Sequence, residues 1–114
     1  MSDTITPGTI LWVRLAPRGN NKLRPAVALS SLGDDDIIYV VVGSTKEPDG
    51  IETAFELPWH PAGHCRTRLR KKTILDLGWR ESVKRVDVFG VGGVVPGAVL
   101  ADIEDRIATL AAIS

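Results

Sequence analysis

A mainly β domain (α+β), a small barrel or sandwich closed by one amphipathic C-terminal helix, is what this sequence predicts, and three observations carry the prediction. Short runs between residues 9 and 88 alternate apolar and polar side chains at strand period. Turn residues separate these runs at close spacing, which leaves no room for the crossover helices that a parallel sheet needs. From about residue 96 the apolar period changes to that of a helix.

Each element arises from its own residues. In residues 9–15, Leu11, Val13 and Leu15 fall on one side of a strand and Ile10, Trp12 and Arg14 on the other. Residues 16–23 hold Pro17, Gly19, Asn20 and Asn21 and read as a loop. Residues 24–30 form a second strand, with Pro25 at its start, where no ladder hydrogen bond is lost. Residues 32–36, ending in Asp34, Asp35 and Asp36, make a turn. Residues 37–43 are almost wholly apolar and rich in β-branched side chains, as in a strand buried on both faces. A loop at 46–51 precedes a strand at 52–57 whose Thr53, Phe55 and Leu57 face inward, and 58–65 is irregular. Residues 73–79 and 82–88 read as two more strands, the second cut off from the rest of the chain by Gly90, Gly92 and Gly93. Pro96 suits a first helical turn. Beyond it Leu100, Ile103, Ile107, Leu110 and Ile113 form one stripe, with Asp102, Glu104 and Asp105 outside it.

A chain of 114 residues fits one domain, residues 1–114, and can bury a core without covalent staples. The single cysteine, Cys65, excludes an internal disulfide and fits a reducing compartment. Residues 1–8 lack a basic stretch leading into an apolar run, and no apolar segment approaches the roughly 18 residues that cross a bilayer. A cytoplasmic protein with no membrane partner is therefore expected. Fourteen basic residues balance fourteen acidic ones, which argues against a strongly basic nucleic-acid binder by bulk charge. The charge is segregated, however: Arg66, Arg68, Arg70, Lys71 and Lys72 crowd one stretch, while acids gather at residues 34–36 and 102–105. A neutral total thus hides a basic and an acidic face.

The hairpin bending near Asp34 carries the most chemistry. It sets Arg24 opposite Ser44, with Thr45 beside it. A guanidinium is a planar fork of donors matched to phosphate oxygens, and a hydroxyl adds one more bond to the same group. Together they can hold a phosphodiester and stabilise charge developing on it; the alternative is an ordinary surface arginine beside a polar strand end. Arg66, Arg68 and Arg70 project to one face if their stretch is a strand, either as a phosphate rail that Arg18 and Lys22 extend or as a charged edge that resists strand pairing. Trp59, in a loop, is the better candidate for base stacking, whereas Trp12 and Trp79 read as core or interface. His64 or His60 can supply an acid or base. With Cys65 they make a poor zinc site without a second cluster, so no metal or other cofactor is expected.

Several segments resemble the MazF/PemK family of ribonuclease toxins. Gly8-Thr9-Ile10-Leu11-Trp12-Val13 is similar to that family's first strand, and Leu23-Arg24-Pro25-Ala26-Val27-Ala28-Leu29-Ser30 closely resembles its RPA signature on strand two. Val42-Gly43-Ser44-Thr45 is similar to the end of its third strand, Lys72-Thr73-Ile74-Leu75-Asp76-Leu77 to a later strand, and residues 90–107 to its terminal helix. The likeness spans nearly the whole chain in the family's order.

The resemblance implies an SH3-like barrel with a C-terminal helix, a homodimer, and sequence-specific cleavage of single-stranded RNA without a metal. The ribose 2′-hydroxyl would attack the adjacent phosphate, and a partner antitoxin would block the groove. Arg24 matches the family's strand-two arginine; Ser44 or Thr45 matches its strand-three threonine, Ser44 fitting the count better. The chain departs from the pattern in two places. The first loop, residues 17–22, lacks the Glu or His of some members, and residues 76–79 lack their Arg-x-Asp pair. A catalytically degenerate module that binds RNA or protein on the same barrel is the alternative expectation.

Overall fold

The structure, a computed structural model, describes residues 5–15, 22–33, 35–44 and 53–113. Strands β1 (Thr9–Arg14), β2 (Leu23–Ala28), β3 (Ile37–Ser44), β4 (Ala54–Glu56), β5 (Ile74–Lys84) and β6 (Val88–Val94) precede a helix, α1 (Gly97–Ile113). All six strands pair antiparallel in one sheet, in the order β4-β5-β3-β2-β1-β6.

Alternation along the central strands feeds two cores, one on each face. Leu11 and Val13 of β1 join Ala26, Ala28, Val40, Val42 and Trp79 in the first. Ile10, Val27 and Val41 turn the other way, to Leu75, Leu77 and Ile103 in the second. The long apolar run of β3 is therefore needed, since residues 40–43 are buried on both sides, and Tyr39 is its exposed exception. Helix α1 covers the second core with the stripe read from its sequence. Ile103 is fully buried there and Leu100, Ile107 and Leu110 pack around it. Burying one such side chain contributes about 2 kcal/mol.

The β2–β3 hairpin has the expected register: Ala26 faces Val42, Val27 faces Val41 and Ala28 faces Val40. Its bend is closed by the Asp36 N–H donating to the Gly33 carbonyl at 3.0 Å and the Gly33 N–H donating to the Ile37 carbonyl at 3.2 Å. Asp36 adopts φ +59°, a left-handed conformation that short polar side chains tolerate better than most.

Two expectations are corrected. Residues 73–79 and 82–88 are not separate strands. Residues 74–84 form the single strand β5, and a 3-10 turn over Arg85–Asp87 leads into β6. Arg80 and Glu81, where the break is expected, pair in register with Val41 and Val40; the one shift in the pairing with β3 lies before them, between Leu75 and Arg80 on β5 and between Val41 and Gly43 on β3. The glycines at 90, 92 and 93 do not end a strand but lie within β6. A side chain would touch Trp12 from Gly90 and would collide with the backbone at Gly93. A Cβ on Gly90 would stand 3.4 Å from the Trp12 ring, and one on Gly93 would lie 2.6 Å from the Thr67 carbonyl carbon.

Gly43 is under the same constraint at this shift, where a Cβ would approach the Ile74 carbonyl oxygen to 2.6 Å. That oxygen belongs to a paired backbone and cannot swing away. Gly43→Ala is expected to cost about 2 kcal/mol, lowering the melting temperature by roughly 10 °C in thermal unfolding.

The segment between β4 and β5 ties the sheet together. It crosses to the far edge, where the Val94 N–H donates to the Arg66 carbonyl at 2.8 Å and the Gly93 N–H to the Thr67 carbonyl at 3.3 Å. This clasp joins the edge strand β6 to a loop that departs from the opposite edge strand, β4.

Candidate functional site

The outer ends of β2 and β3, the middle of β1 and the 67–73 segment enclose a cleft of about 540 Å³. Five cations line it: Lys22, Arg24, Arg68, Arg70 and Lys71. Ile10, Trp12, Leu23, Pro25 and Leu69 supply apolar wall, and no carboxylate lines it among the described residues. Cations gathered around a low-dielectric concavity focus a positive field into it. The cleft suits an anion that also carries an apolar surface.

Carried two steps beyond Ala26 and Val42, the hairpin register sets Arg24 across from Ser44. The ladder itself stops short because Pro25 has no N–H to give. Both residues are half-buried and both line the cleft. Arg24 faces Val13 on β1, and its guanidinium carbon lies 5.4 Å from the centre of the Trp79 ring, which belongs to the first core and is not among the cleft-lining residues. The ring attracts the cation and limits its swing. Trp79 is anchored in turn by its N–H, which donates to Glu81 Oε1 at 3.0 Å. Thr45 and Arg18 lie outside the described residues.

The 66–72 stretch reaches the cleft in a different way from that expected. It is not a strand. Thr67, 1% exposed, donates its hydroxyl to the Pro58 carbonyl at 2.7 Å and accepts the Leu69 N–H at 3.3 Å. Arg68 then turns the chain with φ +58°, a conformation rare for a residue with a Cβ and held only where the surroundings fix it. Thr67 and Leu69 are buried while their neighbours are exposed, so the alternation in the sequence is real although the backbone is not extended. Arg68 lines the cleft as expected, but its companions are Arg70 and Lys71, and Arg66 is not among the lining residues. Lys72 is likewise absent from the lining, its Nζ lying 3.8 Å from Glu56 Oε1.

The tryptophans are placed differently. Trp59 lies outside the cleft, its N–H donating to Glu56 Oε2 at 3.3 Å, while Trp12 lines the cleft wall. His60 and His64 also lie apart from it. Their rings stack on each other at 5.1 Å, and His60 Nδ1 accepts the Ala62 N–H at 3.0 Å. Cys65 Sγ is 3.2 Å from Thr67 Oγ1. Among the described residues no group of three or more His, Cys, Asp or Glu side chains is placed to hold a metal ion, and no helix is long and apolar enough to cross a membrane.

Solved structures with this architecture carry the name MazF. The chain is similar to MazF (Form-I) from Deinococcus radiodurans, with TM-score 0.74 and 17% identity, over 97% of this chain and 99% of that one. It is also similar to MazE-MazF (Form-II) from Deinococcus radiodurans, with TM-score 0.70 and 16% identity, over 96% of each chain. No protein-family model and no curated protein matches the sequence. The fold is that of MazF: one antiparallel six-stranded sheet with a C-terminal helix.

Proposed function

We propose that this chain is a toxin of the MazF kind, a sequence-specific endoribonuclease that cuts single-stranded RNA without a metal, works as a homodimer and is neutralised by an antitoxin. One observation carries the reading: Arg24 and Ser44, twenty residues apart, line one cleft together with four further cations. The MazF fold and the order of the matching segments support the same activity, and the MazE-MazF structures support an antitoxin partner.

The reaction uses the substrate's own nucleophile. The ribose 2′-oxygen attacks the adjacent phosphorus and loses its proton. The bond from phosphorus to the 5′-oxygen breaks, and that oxygen takes up a proton. The products are a 2′,3′-cyclic phosphate and a free 5′-hydroxyl. Negative charge grows on the non-bridging oxygens in the transition state, and Arg24 offers two parallel donors to them. Ser44 donates a third bond, while Lys22, Arg68, Arg70 and Lys71 hold flanking phosphates.

A binding module without catalysis is favoured by a separate observation. Neither histidine lines the cleft, and among the described lining residues there is no imidazole or carboxylate to move a proton. Incubation of the purified chain with long single-stranded RNA in EDTA separates the two. Discrete fragments ending in cyclic phosphate establish the nuclease. RNA retained intact establishes the binder, and no retention defeats both.

A further inference from the structure

We infer that Trp12 is the platform on which an unpaired nucleobase stacks when a single strand lies in the cleft. The inference rests on the nucleic-acid reading above and names a subsite within it. Trp12 stands in the middle of β1, where a tryptophan would normally be covered on both sides by cross-strand neighbours. Here those neighbours are Pro25 on β2 and Gly90 on β6. A Cβ at Gly90 would lie 3.4 Å from Trp12 Cδ1 and 3.6 Å from its Cβ, so the glycine leaves that edge of the indole without a side chain over it. Two residues on, a Cβ at Gly92 would lie 3.4 Å from the Cβ of the buried Ile10, and Gly92 itself lines the cleft. Strand β6 thus presents glycine wherever a side chain would cover this part of β1.

The surroundings state what the bared surface is for. At about 540 Å³ the cleft is far larger than a phosphate needs and falls in the range that holds small organic ligands. Its cations come from two segments, Lys22 and Arg24 beside Pro25, the β2 neighbour of Trp12, and Arg68, Arg70 and Lys71 on the 67–73 segment. A flat apolar ring among cations is the pairing that single strands require, because each nucleotide offers one anionic group and one π face. An acidic peptide offers the anions but no planar base.

Binding tests this directly, with a short 2′-O-methyl oligonucleotide that lacks the attacking hydroxyl and with inorganic polyphosphate, which has charge but no bases. Trp12→Leu is expected to weaken the oligonucleotide about tenfold and to leave polyphosphate unchanged. Trp12→Phe, which keeps an aromatic face, is expected to restore most of the affinity. In the parent protein one abasic position in the oligonucleotide is expected to cost about as much as Trp12→Leu, and nothing further in that variant. Equal losses on both ligands, or no loss on the oligonucleotide, overturn the platform, as does an abasic penalty that persists in Trp12→Leu. Where Trp12→Leu does not fold, the Trp12→Phe variant and the abasic series on the parent decide: the same penalty at every position overturns the inference. The readout is separate from cleavage. A chain that binds with these signatures but cuts nothing keeps the platform and loses the nuclease. A chain that cuts while indifferent to Trp12 keeps the nuclease and loses the platform.

Discussion

Arg24→Ala is expected to slow cleavage of single-stranded RNA by about a hundredfold to a thousandfold, the usual effect of removing one donor aimed at a developing oxyanion. The loss should appear in single-turnover rates at saturating enzyme, because the four other cleft cations still gather the substrate. Arg24→Lys is expected to recover only a small part. An ammonium keeps the charge but loses the fork, and it sits less well against the Trp79 ring, whose centre is 5.4 Å from the guanidinium carbon. Folding should change little: loss of that ring contact is worth about 1 kcal/mol, or roughly 5 °C in melting temperature. Cleavage by Arg24→Ala within threefold of the parent would remove Arg24 from the chemistry.

The second large effect is on binding. Five cations line the cleft, and if each neutralises one phosphate the slope of log affinity against log salt is about −3.5 for a single strand. Raising monovalent salt from about 50 to about 200 mM then weakens binding by roughly a hundredfold. Arg68→Ala is expected to reduce the slope by about 0.7. Arg66→Ala should leave it unchanged, since Arg66 is exposed but absent from the cleft wall. A parent slope shallower than about −1, or equal effects at Arg66 and Arg68, would show that the ordered cleft does not gather the RNA backbone.

Whatever depends on strand period could be read in the sequence. The hairpin register came from a bend at three aspartates, and it alone brings Arg24 and Ser44 to one place. Strand β3 announced its double burial by an apolar run, and α1 its buried stripe by Leu100, Ile103, Ile107 and Leu110. What escaped depends on contacts between segments far apart in the chain. The three glycines of β6 look like breakers locally, yet they lie within a paired strand, and at Gly93 the backbone of Arg66 and Thr67 comes too close for any side chain. The exposed residues 66, 68 and 70 have strand periodicity, yet the hydrogen bonds of the buried Thr67 hydroxyl hold a turned loop in which Arg70 and Lys71, rather than Arg66, reach the cleft. Trp59 is the more exposed aromatic, as its loop position suggests, but it lies outside the cleft, whereas the half-buried Trp12 lines it from a strand, a placement that nothing local could tell.

The clasp at Arg66 and Thr67 makes the cationic wall and the edge strand one mechanical unit. A ligand that fixes Arg68 also steadies the amides of Gly93 and Val94, whose bonds of 3.3 and 2.8 Å hold that wall in place. Saturation with a non-cleavable strand should therefore slow deuterium uptake at two backbone sites that no nucleotide touches.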